Sequence, residues 1–354
     1  MRVAIAVEQL SRAQPGGIGS YARGLVTGLV EIGWGSDIVT LGPRGSGAVQ
    51  PGVAHHSAPL SIKALTRGWS RVPVGVPRDI DVVHATSMAG PFGGGGKRAR
   101  HTAALHDVLW RDEPGSSTPR GVTFHEARLQ RIIRDDSLRI IASSPLLPSR
   151  LREMGVDSER IFVTRLGVDE SGLQPAEPRE VRRALGERGV TGPYTLYVGT
   201  LEPRKNVPAL VRAHRAARAQ TSELGPLVLV GPSGWGHVDV GDAVVLGRQS
   251  RELLLGLYRD ATVVAYVPVA EGYGLPPVEA LYQGTAVVVS AVVPSVATNE
   301  TAVRVSAHEV DEIAEGLLLA LATSSDPAAR ERRRQSVAEL TWANCARDHL
   351  AAWS

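Results

Sequence analysis

Short apolar runs alternate with helical segments along the whole of this 354-residue chain. Runs that are apolar throughout, rather than at every second position, suit strands covered on both faces, and such strands lie in parallel sheets. In the first half they fall at Arg2 to Val7, Ile38 to Leu41, Asp81 to Ala85, Thr102 to Leu105, Leu138 to Ala142 and Ile161 to Thr164. They resume at Tyr194 to Val198, Leu227 to Val230, Ala243 to Leu246, Thr262 to Val267 and Ala286 to Val289. Helices are expected at Tyr21 to Ile32, near Gly121 to Arg139, at Val207 to Gln220, at Glu309 to Ala322, and at Ala328 to Trp353 with a break near Thr341. This alternation marks an α/β protein built from doubly wound parallel sheets. The polar segment Glu170 to Arg188 is the best linker between two such units.

The length suits two domains of ordinary size. A hydrophobic fraction of 43% supports globular cores, and no apolar run is long enough to span a membrane. Met1 leads directly into the first apolar run, too soon for a secretory leader. The single Cys345 excludes an intramolecular disulfide and fits a reducing compartment, so a cytoplasmic location is expected. No Cys or His cluster has zinc spacing, and no metal site is expected. A net charge of +3 is too small to argue for nucleic acid.

The segment Glu271 to Glu279 carries the most chemistry. It follows the apolar run Thr262 to Val267, so Glu271 tops a strand end. Gly272 and Gly274 let backbone approach a ligand, and Pro276 and Pro277 suit the first turn of a helix that would hold Glu279. Ligands of open α/β sheets bind at the carboxyl ends of strands, and two carboxylates there can accept from the hydroxyls of a polyhydroxylated ligand. The plainer reading has Glu279 complementing the helix dipole and Glu271 solvated on its loop. A second site has the same form. After Tyr194 to Val198 comes a loop, Gly199 to Asn206, with Asn206 as N-cap of the next helix. The chain has only three lysines, Lys63, Lys97 and Lys205, and Lys205 stands beside Arg204 just before that helix. Two cations at a helix start make an anion site, and phosphate is the commonest biological anion. The alternative is a solvated pair on a surface loop.

Together these segments resemble the retaining glycosyltransferases of family 4, which have the GT-B fold. Glu271 and Glu279 look like that family's paired glutamates, and Gly199-Thr-Leu-Glu-Pro-Arg-Lys-Asn206 looks like its phosphate loop. Asp81-Val-Val-His-Ala85, His106-Asp107, Ile140-Ile-Ala-Ser143, Arg160-Ile-Phe-Val163 and Leu166-Gly-Val-Asp169 follow in the family's order. The chain differs from many relatives at Leu166, Ala286 and Ser295.

The resemblance implies two facing Rossmann-like domains with a cleft between them. The first, residues 1–175, would bind the acceptor; the second, 176–339, would bind a nucleotide diphosphate sugar. A final helix, about 340–354, would cross back to the first. It further implies transfer of a hexose, mannose-like as a first choice, to a glycan, glycolipid or natural product, with retention and without a cofactor. Arg204 and Lys205 would stabilise the leaving diphosphate. Glu271 would hold the donor's sugar and Glu279 its ribose. Gly199, Gly272, Tyr273, Gly274 and Leu275 would shape the donor pocket, and Gly16 and Gly17 match the family's glycine pair. His106, topping Thr102 to Leu105, would lie near donor sugar and acceptor; the other reading makes it an interior imidazole paired with Asp107 or backbone.

Two other functions compete: a catalytically silent sugar-nucleotide-binding subunit, and a nicotinamide-dependent oxidoreductase suggested by Gly17-x-Gly19-x-x-Ala22. The loop before those glycines is too long for a dinucleotide fingerprint, and no acid ends the run Ile38 to Leu41. Two arginine-rich stretches, Ser61 to Arg78 with Trp69 and Gly121 to Arg139, suggest a lipid-linked or anionic acceptor, with peripheral contact at the inner membrane face. The alternative is a solvated, salt-bridged surface. Gly93 to Arg98 is expected to be a mobile loop at the cleft mouth.

Overall fold

The computed structural model describes residues 1–69, 71–92, 99–113, 115, 117–168 and 173–354. The loop at Gly93 to Arg98 and the residue Asp169 lie outside the described residues. The chain divides into two compact units, Met1–Gly167 with Leu340–Ser354, and Val168–Glu339. The division falls between Gly167 and Val168, earlier than the 175/176 boundary read from the sequence. Among the described residues no helix is long and apolar enough to cross a membrane.

The first unit holds β1 (Val3–Ala6), α1 (Gly16–Glu31), β2 (Ile38–Gly42), β3 (Ala54–Ser57), α2 (Ile62–Gly68), β4 (Val82–Ala85), β5 (Arg100–Leu105), α3 (Leu109–Asp112), α4 (Pro119–Arg134), β6 (Arg139–Ala142), α5 (Leu147–Glu153) and β7 (Ile161–Val163). Its seven strands run in parallel in the order β3-β2-β1-β4-β5-β6-β7. β1 and β4 are buried at every position, which is why they read as unbroken apolar runs. β3 was not expected: it is an edge strand of sequence Ala-His-His-Ser, mostly exposed, with no apolar pattern.

Three expectations for this unit are corrected. α1 starts at Gly16 rather than Tyr21, so Gly16 and Gly17 form its first turn and are not a loop. Trp69 is buried, with its indole N–H donating to the Val74 carbonyl at 2.8 Å, so it is core and cannot meet a membrane. Arg128 is also buried, donating to the Thr66 carbonyl with its guanidinium over the Phe92 and Phe124 rings. The stretches read as basic surfaces therefore place two of their members inside the protein, although Arg131 and Arg134 are exposed.

The second unit holds α6 (Pro178–Gly186), β8 (Thr195–Val198), α7 (Val207–Arg218), β9 (Leu227–Val230), β10 (Val244–Gly247), α8 (Arg251–Asp260), β11 (Val263–Tyr266), α9 (Leu275–Tyr282), β12 (Ala286–Ser290), β13 (Val303–Val305), α10 (Val310–Leu321) and α11 (Pro327–Ser336). Its six strands are parallel in the order β10-β9-β8-β11-β12-β13. The order reverses at β8 and β11, where α/β sheets bind their ligands. α6 occupies much of the segment read as a linker. Pro178 opens it, and Glu177 and Glu180 close a capping box around its first turn. β13, only Val-Arg-Val with an exposed Arg304, was too short to show in the sequence.

α12 (Trp342–Trp353) belongs to the first unit, where it packs on α1. The close approach depends on glycine. A Cβ at Gly24 would fall inside the Trp342 indole, one at Gly28 would strike the Trp342 carbonyl, and one at Gly167 would strike the Trp342 backbone. Beneath this contact runs a directional chain of buried hydrogen bonds. His349 Nδ1 donates to the Cys345 carbonyl at 2.7 Å, so the neutral ring accepts at Nε2 from the Tyr21 hydroxyl, also at 2.7 Å. Having given its hydrogen, the Tyr21 oxygen accepts from His84 Nε2 at 2.8 Å, and His84 Nδ1 accepts from Thr102 Oγ1 at 2.8 Å. Cys345 is buried on the same helix.

Candidate active site

In the second unit the loop from Gly199 to Asn206 and the loop after β11 close on each other. Val269 N–H donates to the Arg204 carbonyl at 2.9 Å, and Arg204 Nη1 donates to the Ala270 carbonyl at 3.2 Å. Gly199 N–H donates to the Val230 carbonyl at 2.9 Å, extending β8 pairing into the loop. Asn206 is the only non-glycine residue with positive φ, at 59°, among the described residues. It is the N-cap residue of α7, as expected, but its side chain does not cap the helix: its amide Nδ2 donates to the Val267 carbonyl at 3.0 Å and the Ala307 carbonyl at 2.7 Å. Those bonds hold a left-handed turn that costs energy for any residue with a Cβ.

That turn places Lys205 inward. Its ammonium donates to the Glu271 carboxylate and to the Tyr266 hydroxyl, and it lies 5.0 Å from the centre of the Tyr266 ring. Tyr266 donates in turn to Glu271, and Arg204 stands 3.5 Å from the same carboxylate oxygen. Arg204 also pairs with Glu202 at 2.7 Å. Glu271 Oε1 accepts from the Gly272 amide at 3.0 Å. Burial alone would raise the Glu271 pKa, but Lys205 and Arg204 outweigh it and bring the group to about 2. Burial draws the Lys205 pKa down, against the pull of Glu271. The site is thus a buried ionised carboxylate between two cations, at the carboxyl end of β11. Lys205 is an interior residue and not the loop-surface cation of the plainer reading.

Glu279 belongs to a separate set. It lies in the second turn of α9, not the first, which weakens the helix-dipole reading. Its Oε1 accepts from Arg251 at 2.8 Å and its Oε2 from the Tyr258 hydroxyl at 2.9 Å. Arg251 and Tyr258 stand two turns apart on one face of α8. The turn joining the two glutamates is tied down by Ser295, whose amide donates to the Tyr273 carbonyl at 2.9 Å and whose hydroxyl donates to the Gly274 carbonyl at 2.6 Å. Gly274 has φ of 93°, and a Cβ there would strike Val293. Leu275 begins α9. Tyr266, Tyr258 and Arg251 were missed in the sequence, and Ser295 was noted only as a departure from many relatives. Only the seven-residue spacing of Arg251 and Tyr258 could have shown that two of them share a face.

The first unit holds His106, Gly16 and Gly17. His106 Nε2 donates to the Thr86 carbonyl at 2.9 Å, and its Nδ1 lies 2.8 Å from the Ser143 hydroxyl. Burial lowers its pKa, so the ring is neutral and Nδ1 accepts from Ser143. The interior reading of His106 therefore describes it, with Ser143 and backbone rather than Asp107 as partners. Neither nitrogen is left for a sugar hydroxyl in this arrangement.

Residues 179–337 match the family model for glycosyl transferases group 1, and residues 16–167 match the model for the glycosyl transferase 4-like domain. The chain belongs to the family 4 type of GT-B glycosyltransferases. Over 268 residues this glycosyltransferase is 27% identical to the O-antigen chain mannosyltransferase B of Escherichia coli, covering 72% of this chain and 70% of that one. It is 31% identical over 270 residues to a D-inositol 3-phosphate glycosyltransferase of Mycobacterium leprae, covering 71% of this chain and 60% of the relative. Its fold is similar to that of Anabaena HepE in complex with UDP, with a TM-score of 0.71, 15% identity and 99% of both chains covered. The sucrose-phosphate synthase of Thermosynechococcus elongatus gives a TM-score of 0.72 at 20% identity, covering 99% of this chain and 98% of that one.

Proposed function

We propose that this glycosyltransferase moves a hexose, with retention, from a nucleotide diphosphate sugar to an acceptor hydroxyl of a glycan, glycolipid or natural product, without a metal. The observation that carries this is the ionised Glu271 held between Lys205 and Arg204 at the end of β11. Breaking a sugar–phosphate bond puts negative charge on the leaving diphosphate. Arg204 and Lys205 supply fixed positive charge for it, aided by the N-terminus of α7. Glu271 accepts from donor hydroxyls and offsets positive charge at the anomeric carbon. Glu279 retains lone pairs beyond those taken by Arg251 and Tyr258, and these accept from the ribose hydroxyls. In a same-face reaction the leaving phosphate takes the acceptor's proton, so no covalent nucleophile is needed.

A mannose-like sugar fits the E. coli relative's name, and UDP fits the HepE complex. Gly16 and Gly17 remain candidates for an anionic group, because their amides lie in the first turn of a long helix. Calorimetry with GDP, UDP and dTDP identifies the nucleotide. Incubation with the matching hexose donor, followed by NMR of the product's anomeric proton, then reads retention. Binding of none of the three nucleotides, or an inverted product, would overturn the proposal.

A further inference from the structure

Tyr266 closes β11 beside Tyr197 of β8, and the two rings stack at 6.1 Å with 21° between their planes. Tyr197 is itself held by its hydroxyl, which donates to the Thr200 carbonyl at 3.2 Å. A buried phenol braced in this way keeps its hydroxyl at a fixed point. That hydroxyl is used in both directions: it accepts from the Lys205 ammonium and donates to Oε2 of Glu271. Oε2 is crowded, because Lys205 donates to it as well and Arg204 stands 3.5 Å away. Oε1 carries less. Among the described residues it accepts only from the Gly272 amide, which takes one of its two lone pairs. The bonds to Oε2 thus set the plane of the carboxylate and leave one lone pair, on Oε1, for a donor hydroxyl.

The three partners of Oε2 are not equivalent. Lys205 and Arg204 are cations, for which a diphosphate competes as soon as it binds. The Tyr266 hydroxyl is neutral, and its one hydrogen is already given to Glu271. We propose that Tyr266 is a positioning residue of the transfer: it holds Glu271 in place while Lys205 and Arg204 turn their charge to the leaving diphosphate, so that Oε1 stays aimed at the sugar. The inference rests on the assignment of Glu271 to the donor sugar made above. A neutral donor suits this role, because it fixes the direction of the carboxylate without cancelling the negative charge that the anomeric carbon needs. Tyr266 touches no substrate. It acts through Glu271 and, by accepting from the ammonium, through Lys205.

Donor hydrolysis tests this, with water in place of the acceptor and GDP-mannose and UDP-glucose as probes, followed by release of the nucleoside diphosphate. Tyr266→Phe should lower kcat about tenfold, the lower end of the loss for a hydrogen bond to a charged group, with donor KM and calorimetric binding of GDP or UDP unchanged. Para-aminophenylalanine at position 266 returns an N–H donor to the same place and should recover part of the loss. In a Glu271→Gln background Tyr266→Phe should cost almost nothing more, because the group it positions has gone. Thermal unfolding confirms that each variant is folded. A second measurement needs no turnover. The chain has three lysines, so Lys63→Arg and Lys97→Arg assign their side-chain nitrogen signals by NMR. The buried Lys205 ammonium should show slow hydrogen exchange, which Tyr266→Phe speeds about tenfold. In wild type, GDP or UDP should shift that signal without ending its slow exchange. Wild-type kcat in folded Tyr266→Phe, a loss that appears in KM or nucleotide binding instead, a full tenfold loss in the Glu271→Gln background, or slow exchange that is lost when nucleotide binds overturns the inference. If neither donor is hydrolysed by wild type, or Glu271→Gln alone leaves kcat unchanged, the reading of Glu271 fails instead, while Lys205 exchange still reports whether Tyr266 holds the pair.

Discussion

Lys205 and Glu271, 66 positions apart in the chain, are buried counter-ions joined by the Tyr266 hydroxyl. This relationship makes the same two residues responsible for stability and for charge in the proposed reaction. Removing Lys205 leaves a buried carboxylate with only Arg204 to balance it. Lys205→Met should therefore destabilise the protein by about 3 kcal/mol, the usual cost of stripping one member from a buried pair. Adding Glu271→Leu to Lys205→Met should restore much of that loss. Urea unfolding of the single and double variants measures both effects; an unchanged midpoint for Lys205→Met would show that the pair carries no stability.

Activity should survive EDTA. The positive charge for a diphosphate is already supplied by Arg204 and Lys205, so chelation removes nothing the site uses. Donor turnover before and after dialysis against EDTA checks this. A complete loss, restored by magnesium or manganese, would refute it.

The glutamates should separate kinetically. Glu271→Gln removes a charge that matters most as the anomeric carbon becomes positive, so it should chiefly lower kcat, by a factor of roughly 100 or more. Glu279→Gln disturbs a ribose contact that is alike in ground and transition states, so it should chiefly raise the donor KM. Steady-state kinetics with each variant decide the matter. A reversed pattern would exchange the two assignments.

Acid should loosen the first unit. An imidazole ordinarily titrates near 6.5, whereas burial lowers His349 to about 4 and takes His84 well below its ordinary value. Between those values the unfolded chain binds protons that the folded chain refuses. Stability should be full above pH 6.5 and fall as pH drops towards 4, with His349 alone contributing roughly 3 kcal/mol to the loss. Protonating His349 would also aim an N–H at the Tyr21 oxygen and leave the Tyr21 hydrogen without an acceptor. Urea unfolding at several pH values should show this slope, and His349→Gln should flatten it.

The parallel strands and the two loops above them could be read from sequence because burial writes itself as unbroken apolar runs, and because glycines and charges interrupt those runs at the strand ends. Edge strands leave no such record: β3 is mostly exposed and β13 is three residues long. The helix from Pro178 was legible in principle, since Pro178 and the Glu177–Glu180 pair announce a helix start, but its polar surface resembles a linker. Side-chain direction was the harder loss. Nothing in sequence says that Lys205 and Trp69 point inward, that Asn206 turns left-handed to reach two carbonyls, or that His106 is engaged at both nitrogens. Those facts depend on residues brought together from distant parts of the chain.

The packing of Trp342 against Gly24, Gly28 and Gly167 bears on the order of events during synthesis. The first unit begins with residue 1 and is completed only by residues 340–354, whereas the second is one continuous segment between them. On the ribosome, Tyr21 and the glycine face of α1 emerge long before their partners. The second unit can close on contacts already made, while the first must wait for α12 and then pair residues as far apart as Tyr21 and His349, 328 positions along the chain. The half translated first is thus the half that matures last, and a chain stopped just short of α12 would carry a finished second unit attached to an open first one.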